Sequence, residues 1–153
     1  MNDPQTPPPS LYAREAGPDD LPDLARLNDA FNGENTSPAE LALRLADPRR
    51  VEQALVAVLD GRVVGFAGLR IVPGLFYPVP YGELTELYVQ PDSRRRGAAR
   101  ALLALAEQLA AARGVRELFV LTGRRNRAAR AFYRAAGFAG DEVALSKDLP
   151  AGS

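Results

Sequence analysis

The hydrophobic positions change period along the chain, and the changes divide it into elements. Leu21, Leu24, Leu27 and Phe31 recur three and four apart after Pro18-Asp19-Asp20. That spacing predicts an amphipathic helix with Asp at or near its N-cap, stopped by Asn32-Gly33. Ser37-Pro38-Ala39-Glu40 is a capping box with proline at the first helical position. It opens a second helix carrying Leu41, Leu43 and Leu45, which Asp47-Pro48 ends. Leu11 to Glu15, ahead of both, predicts a short strand. The helical period then gives way to two Val-rich apolar runs, Gln53 to Leu59 and Arg62 to Val72, joined by Asp60-Gly61. That dipeptide is a strong two-residue hairpin signal.

Pro73 to Pro80 reads as a loop with Phe76 and Tyr77 at its tip, and Leu84 to Val89 as a strand ending at a Pro91-Asp92-Ser93 turn. An Ala/Leu run from about Gly97 to Ala112 predicts a helix stopped by Arg113-Gly114. Arg116 to Thr122 predicts a buried strand, and Asn126 to Ala136 a helix with Gly137 just past its end. Phe138 to Leu149 alternates well enough for one or two closing strands. Strands joined first by a hairpin and later by helical crossovers imply a mixed α/β sheet with helices on both faces. No internal repeat is visible.

Length adds one constraint: 153 residues make a single domain, expected over residues 11–150. Met1 to Ser10, with four prolines and neither a basic start nor an apolar centre, reads as a disordered tail rather than a signal peptide. With no long charge-free apolar run, a membrane span is not expected, and the expected compartment is the cytoplasm.

Composition removes chemistry. There is no Cys and no His, which excludes thiolate nucleophiles, imidazole bases and most zinc sites; no metal is expected. Proton transfer falls to Asp, Glu, Tyr, the single Lys147, a backbone group or water. Net charge is zero but unevenly spread. Residues 1–93 hold 7 Arg against 14 acids, and residues 94–134 hold 11 Arg against Glu107 and Glu117. A basic segment beside an acidic one suits a protein that joins a polyanionic cofactor to a cationic substrate.

Two motifs sit in the basic segment. In the first, a strand and polar turn lead through Arg94-Arg95-Arg96-Gly97-Ala98-Ala99 into a helix N-terminus. Unpaired N–H groups and the positive end of a helix dipole make such a junction an anion site. The loop matches Q/R-x-x-G-x-G/A. In the second, Asn126 to Phe138 fits N-x-x-A-x-x-F-Y-x-x-x-G-F at Asn126, Ala129, Phe132, Tyr133, Gly137 and Phe138. Seven residues apart on a helix, Asn126 and Tyr133 share a face, with Ala129 between them. Together the motifs resemble the two cofactor signatures of the GCN5-related N-acetyltransferases, which move acetyl groups from acetyl-CoA to amines. The resemblance covers roughly Val56 to Phe138 and implies that family's fold, a mostly antiparallel mixed sheet that splays after its fourth strand.

The resemblance also implies roles. The backbone of Leu87, Tyr88 and Val89 would pair with the pantetheine arm of acetyl-CoA, as an added strand pairs with a sheet edge. The N–H groups of Arg94, Arg95, Arg96, Gly97, Ala98 and Ala99 would hold its pyrophosphate, and Asn126 would hydrogen-bond the arm. Tyr133 would protonate the departing thiolate, a sensible task for a phenol of pKa about 10 facing a thiol of about 8.5. Arg95 stands where glycine is common, and Ala99 where glycine is frequent.

For the base that frees the attacking amine, Glu86 is favoured, then Glu83, with a water chain close behind. Strict alternation puts the two carboxylates on opposite faces, unless a bulge of the kind frequent in the family intervenes. With no cysteine, direct transfer in a ternary complex is expected. The acceptor is a small-molecule or protein amine: Asp29, Glu34 and Glu40 suit a cation, and Phe76, Tyr77 and Tyr81 could stack on it. A homodimer is open. The competing readings are a catalytically silent acyl-CoA-binding module of the same fold and an Arg-rich nucleic-acid binder, the latter disfavoured by the balanced charge.

Overall fold

A computed structural model of the chain describes residues 10–152. The tail expectation for Met1 to Pro9 lies outside the described residues. Ser10 is tied down, its N–H donating to Asp60 Oδ1 at 2.9 Å. The chain divides into two compact units, one ending at Phe119 and one starting at Val120.

The first unit contains strands β1 (Leu11–Glu15), β2 (Glu52–Leu59), β3 (Arg62–Val72) and β4 (Tyr81–Val89), with helices α1 (Leu21–Asn32), α2 (Pro38–Leu45) and α3 (Ala98–Ala112). Strand β5 (Leu118–Val120) carries the chain across the boundary. The sheet order is β1-β2-β3-β4-β5, with β1 to β4 antiparallel throughout.

Local signals set most boundaries. Asp60 and Gly61 both take positive φ, 50° and 77°, as a tight hairpin between right-twisted strands requires. The Ser37 capping box is complete: Glu40 N–H donates to Ser37 Oγ at 3.2 Å, and Ser37 N–H to Glu40 Oε2 at 2.7 Å. α1 ends at Gly33 in the left-handed region. Asp20 stands at its N-cap, as the spacing predicts, but its side chain caps no N–H of α1. Pro18–Asp20 forms a 3-10 turn, and the buried Asp20 carboxylate accepts from Gly17 N–H and bidentately from Arg14.

The sheet is buried on both faces. On one, Leu24 and Leu27 of α1 pack with Val56, Val58, Val63 and Phe66, joined by Leu41 of α2. On the other, α3 buries Leu102, Leu103, Ala106 and Ala110 across Leu55, Ala67, Leu69 and Leu84, all at most 2% exposed. Leu43 does not join the core and is 76% exposed. Two residues along a helix is a turn of about 200°, so Leu43 points away from Leu41 and Leu45.

Two expectations fail by length. The strand expected over Arg116 to Thr122 is only three residues long, and among the described residues none of Phe138 to Leu149 forms a strand. Val143, Leu145 and Leu149 are exposed. Alternation gives a segment the side-chain pattern of a strand, but a strand exists only where a neighbour completes its hydrogen bonds.

The second unit is built around α4 (Arg127–Ala135). Asn126 caps it, accepting from Ala129 N–H at 3.1 Å. Tyr133 is the buried residue of this helix, held edge-on between Phe132 and Phe138 with both ring centroids at 5.4 Å.

Candidate functional site

The organising strand is β4, and one irregularity in it decides its chemistry. Arg70 pairs with Glu83, Leu69 with Leu84, and Gly68 with Glu86, so Thr85 is an extra residue bulged out of the ladder. The bulge resets alternation. Glu83 and Glu86, which strict parity places on opposite faces, both oppose residues of one face of β3, the face that α1 covers.

The two carboxylates nevertheless differ. Glu83 is 6% exposed; it takes a hydrogen-bonded ion pair from Arg70 and a hydrogen bond from Tyr81 Oη at 3.2 Å. Glu86 makes no salt bridge among the described residues. Burial pushes its pKa above the ordinary value of 4.5; the nearby Glu52 adds to the rise and a hydrogen bond from Asn32 opposes it. Glu83 Oε2 is already engaged by Arg70 and Tyr81, whereas Glu86, partly desolvated and without an ion pair, is the better placed of the two to accept a proton.

Aromatic rings wall the same face. Phe31 of α1 stacks on Tyr88 at 5.0 Å, and Phe66 lies 6.2 Å from both. Of the residues expected to meet the acceptor, Phe76 and Tyr77 are 89% and 77% exposed in the β3–β4 loop. Tyr81 is engaged otherwise: its ring stacks on Phe119 at 5.1 Å and its hydroxyl serves Glu83.

β4 then delivers the chain to the anion loop. Arg95 has φ 62° and Gly97 φ 91°, both left-handed, and α3 begins at Ala98 with no capping side chain. Left-handed residues just before an uncapped helix turn successive N–H groups toward one side, which forms an anion-binding concavity. The donor set fits a pyrophosphate. Of the three arginines, Arg94 is directed back onto the strand. Its Nε–H donates to Val89 O at 2.9 Å and its guanidinium lies 5.7 Å from the Tyr88 ring centroid. Since β5 has three residues and β4 nine, β5 lines only part of that edge of β4. Leu118 and Phe119 lie at its Tyr81–Gly82 end.

In the second unit, Asn126 Oδ1 is occupied as the helix cap, which leaves its amide N–H groups as the side chain's donors. Arg130 and Arg134 share Asp141 at 3.5 and 3.3 Å.

An open recess of about 840 Å³ lies elsewhere, between α1 and the Gly61 end of the sheet. Its charges largely pair off, Arg14 with Asp20 and Arg26 with Asp23. Its lining includes Tyr88 but neither Glu83 nor Glu86. Volume alone therefore does not single out the two carboxylates.

Sequence reasoning singled out Glu83 and Glu86 and missed Glu52, at the first position of β2, whose Oε1 accepts from the bulged Thr85 hydroxyl. No short-range signal marks it, because the contact spans 33 residues.

A family profile described as "Acetyltransferase (GNAT) family" matches residues 21–138, and the chain belongs to that family, whose members use acetyl-CoA. It is 37% identical over 105 residues to a mycothiol acetyltransferase of Cellulomonas flavigena, covering 65% of this chain and 30% of that protein. It is likewise 37% identical over 109 residues to an uncharacterised N-acetyltransferase of Mycobacterium bovis, covering 71% of this chain and 65% of the relative. The chain thus spans less than two thirds of the length of both relatives. A solved structure, a putative acetyltransferase from Agrobacterium tumefaciens, superposes with a TM-score of 0.78 at 30% identity, covering 90% of this chain and 99% of that one. The fold is the family's own.

Proposed function

We propose that the protein is an N-acetyltransferase that moves the acetyl group of acetyl-CoA to a primary amine by direct attack within a ternary complex. The observation that carries this reading is β4 itself. Its bulge at Thr85 brings an unpaired, partly desolvated Glu86 onto the α1 face, and its far end opens into an anion loop at an uncapped helix start.

Acetyl-CoA, when bound, supplies the activated acyl group as a thioester. The backbone of Leu87 to Val89 meets the pantetheine arm, and the N–H groups of residues 94 to 99 meet the pyrophosphate. Asn126 donates to the arm from its amide nitrogen. Glu86, or a water it holds, takes the proton from the acceptor ammonium. Tyr133 gives its phenolic proton to the departing sulfur. Glu83 is a supporting residue that fixes Arg70 and Tyr81. The acceptor is a small-molecule or peptide amine, cationic at neutral pH, which suits a face carrying Glu52 and Glu86.

The test combines a thermal shift with acetyl-CoA and a CoA-release screen over a panel of amines. At one hundred times Kd, the cofactor stabilises the fold by about 2.7 kcal/mol. Tyr133→Phe and Glu86→Gln keep that shift and lose about 10²-fold or more in turnover. Because the Glu86 pKa is raised, the acid limb of kcat/KM lies above the ordinary glutamate value. No thermal shift at saturating acetyl-CoA overturns the reading. A shift without turnover on any amine makes the protein an acyl-CoA-binding module instead.

A further inference from the structure

We propose that Glu52 is a positioning residue for the Glu86 base, a second carboxylate fixed on the same face through the bulge of β4. This rests on the reading of Glu86 given above. Three features on three neighbouring strands make the arrangement. Glu52 opposes Arg70 across β2–β3, and Arg70 opposes Glu83 across β3–β4. Glu52 therefore stands on the face to which the bulge brings Glu86. The bulged Thr85 donates its hydroxyl to Glu52 Oε1. The third feature is a vacancy made by sequence: the residue opposite Glu86 on β3 is Gly68. A Cβ there would overlap Thr85 Oγ1 and stand 2.7 Å from Glu52 Oε1, so the Thr85–Glu52 hydrogen bond occupies space that any side chain at position 68 would take.

The surrounding charges leave Glu52 as the charged group that acts on Glu86. From β3, Arg70 is engaged by Glu83. From β4, Glu83 is neutralised by Arg70, Tyr81 donates to Glu83, and Tyr88 stacks under Phe31. From α1, Asn32 offers an uncharged amide. Arg50, beside the start of β2, donates to the Glu52 carbonyl rather than its carboxylate. A fixed like charge opposes ionisation of Glu86 and adds to the effect of burial, making Glu86 the stronger base for an ammonium proton. Thr85 holds that charge in place, so the bulge serves twice: it turns Glu86 onto the α1 face and secures the group that tunes it.

The experiment is a carboxyl ¹³C NMR titration of the full chain labelled at glutamate, with the Glu86 signal identified by its loss in Glu86→Gln. It needs neither acetyl-CoA nor an acceptor. In Glu52→Gln, where Thr85 keeps an acceptor and only the charge goes, the Glu86 midpoint falls by about half a pH unit, modest because Glu52 is solvent-exposed. Glu52→Asp, which retains the charge, returns the midpoint toward wild type. Thr85→Val, which frees the Glu52 side chain, gives a smaller fall in the same direction. An unmoved or raised Glu86 midpoint in Glu52→Gln overturns the proposal, whatever the turnover assay finds. Failure of the acetyltransferase reading would appear only in that assay, as absent cofactor stabilisation or absent CoA release.

Discussion

Gly65 offers a test of how β4 is built. It opposes Val89 across the β3–β4 ladder. A Cβ placed on it would stand 2.6 Å from Tyr88 O and 3.0 Å from Val89 Cγ2. A comfortable carbon–oxygen contact is about 3.3 Å or more, so the shortfall is roughly 0.7 Å, and the obstructing oxygen belongs to a backbone that cannot swing aside as a side chain can. Gly65→Ala must push the Tyr88–Val89 end of β4 away from β3. Overpacking of this kind costs about 1–3 kcal/mol, and the reduced freedom of the unfolded chain returns about 0.4–1 kcal/mol. The net is a loss of about 1–2 kcal/mol. At about 2–4 °C per kcal/mol for a chain of this size, the melting temperature falls by roughly 2–8 °C. The displaced segment is the one proposed to meet the pantetheine arm, so stabilisation by acetyl-CoA shrinks as well. Scanning calorimetry with and without acetyl-CoA measures both effects. Gly123→Ala, where an added Cβ meets nothing within 4 Å, is the control and stays within about 0.5 kcal/mol of wild type. A Gly65→Ala protein that melts within a degree of wild type and responds fully to acetyl-CoA would refute the argument.

Two further predictions concern other parts of the first unit. The Arg14 hydrogen bonds and the Gly17 N–H hold the Asp20 carboxyl below its ordinary pKa of 3.8. A depressed folded-state pKa contributes stability that is present above the unfolded value and lost as pH falls through the folded one. Asp20→Asn therefore costs about 1–2 kcal/mol at pH 7, discounted because Arg14 is partly exposed, and melting curves of variant and wild type converge as pH falls below the depressed Asp20 pKa. In the anion loop, Arg95 pays for a left-handed backbone that glycine adopts freely. Arg95→Gly is neutral to stabilising by up to about 1 kcal/mol, whereas Gly97→Ala, at φ 91°, is destabilising by about 1 kcal/mol. Chemical denaturation of the pair reads the opposite signs.

The sequence by itself determined whatever depends on neighbours along the chain. The Asp60-Gly61 turn, the Ser37–Glu40 box, the glycine stop at Gly33 and the loop from Arg94 into α3 all follow from residues a few positions apart, whose steric and hydrogen-bonding demands are met locally. The two motifs likewise pointed to the family, because a glycine loop at a helix start and a capped helix are local constructions. Tertiary structure decided what depends on pairing between distant strands. Whether Glu83 and Glu86 share a face turned on one bulged residue, visible only in the register of β4 against β3. Glu52 enters the site only because β2 lies beside β3, and Gly68 matters only because Thr85 and Glu52 meet over it. Tyr81 is engaged by a ring on β5, Phe119. The alternation of Phe138 to Leu149 promised strands that did not form, since a strand is stabilised by the ladder it joins and not by the pattern it carries.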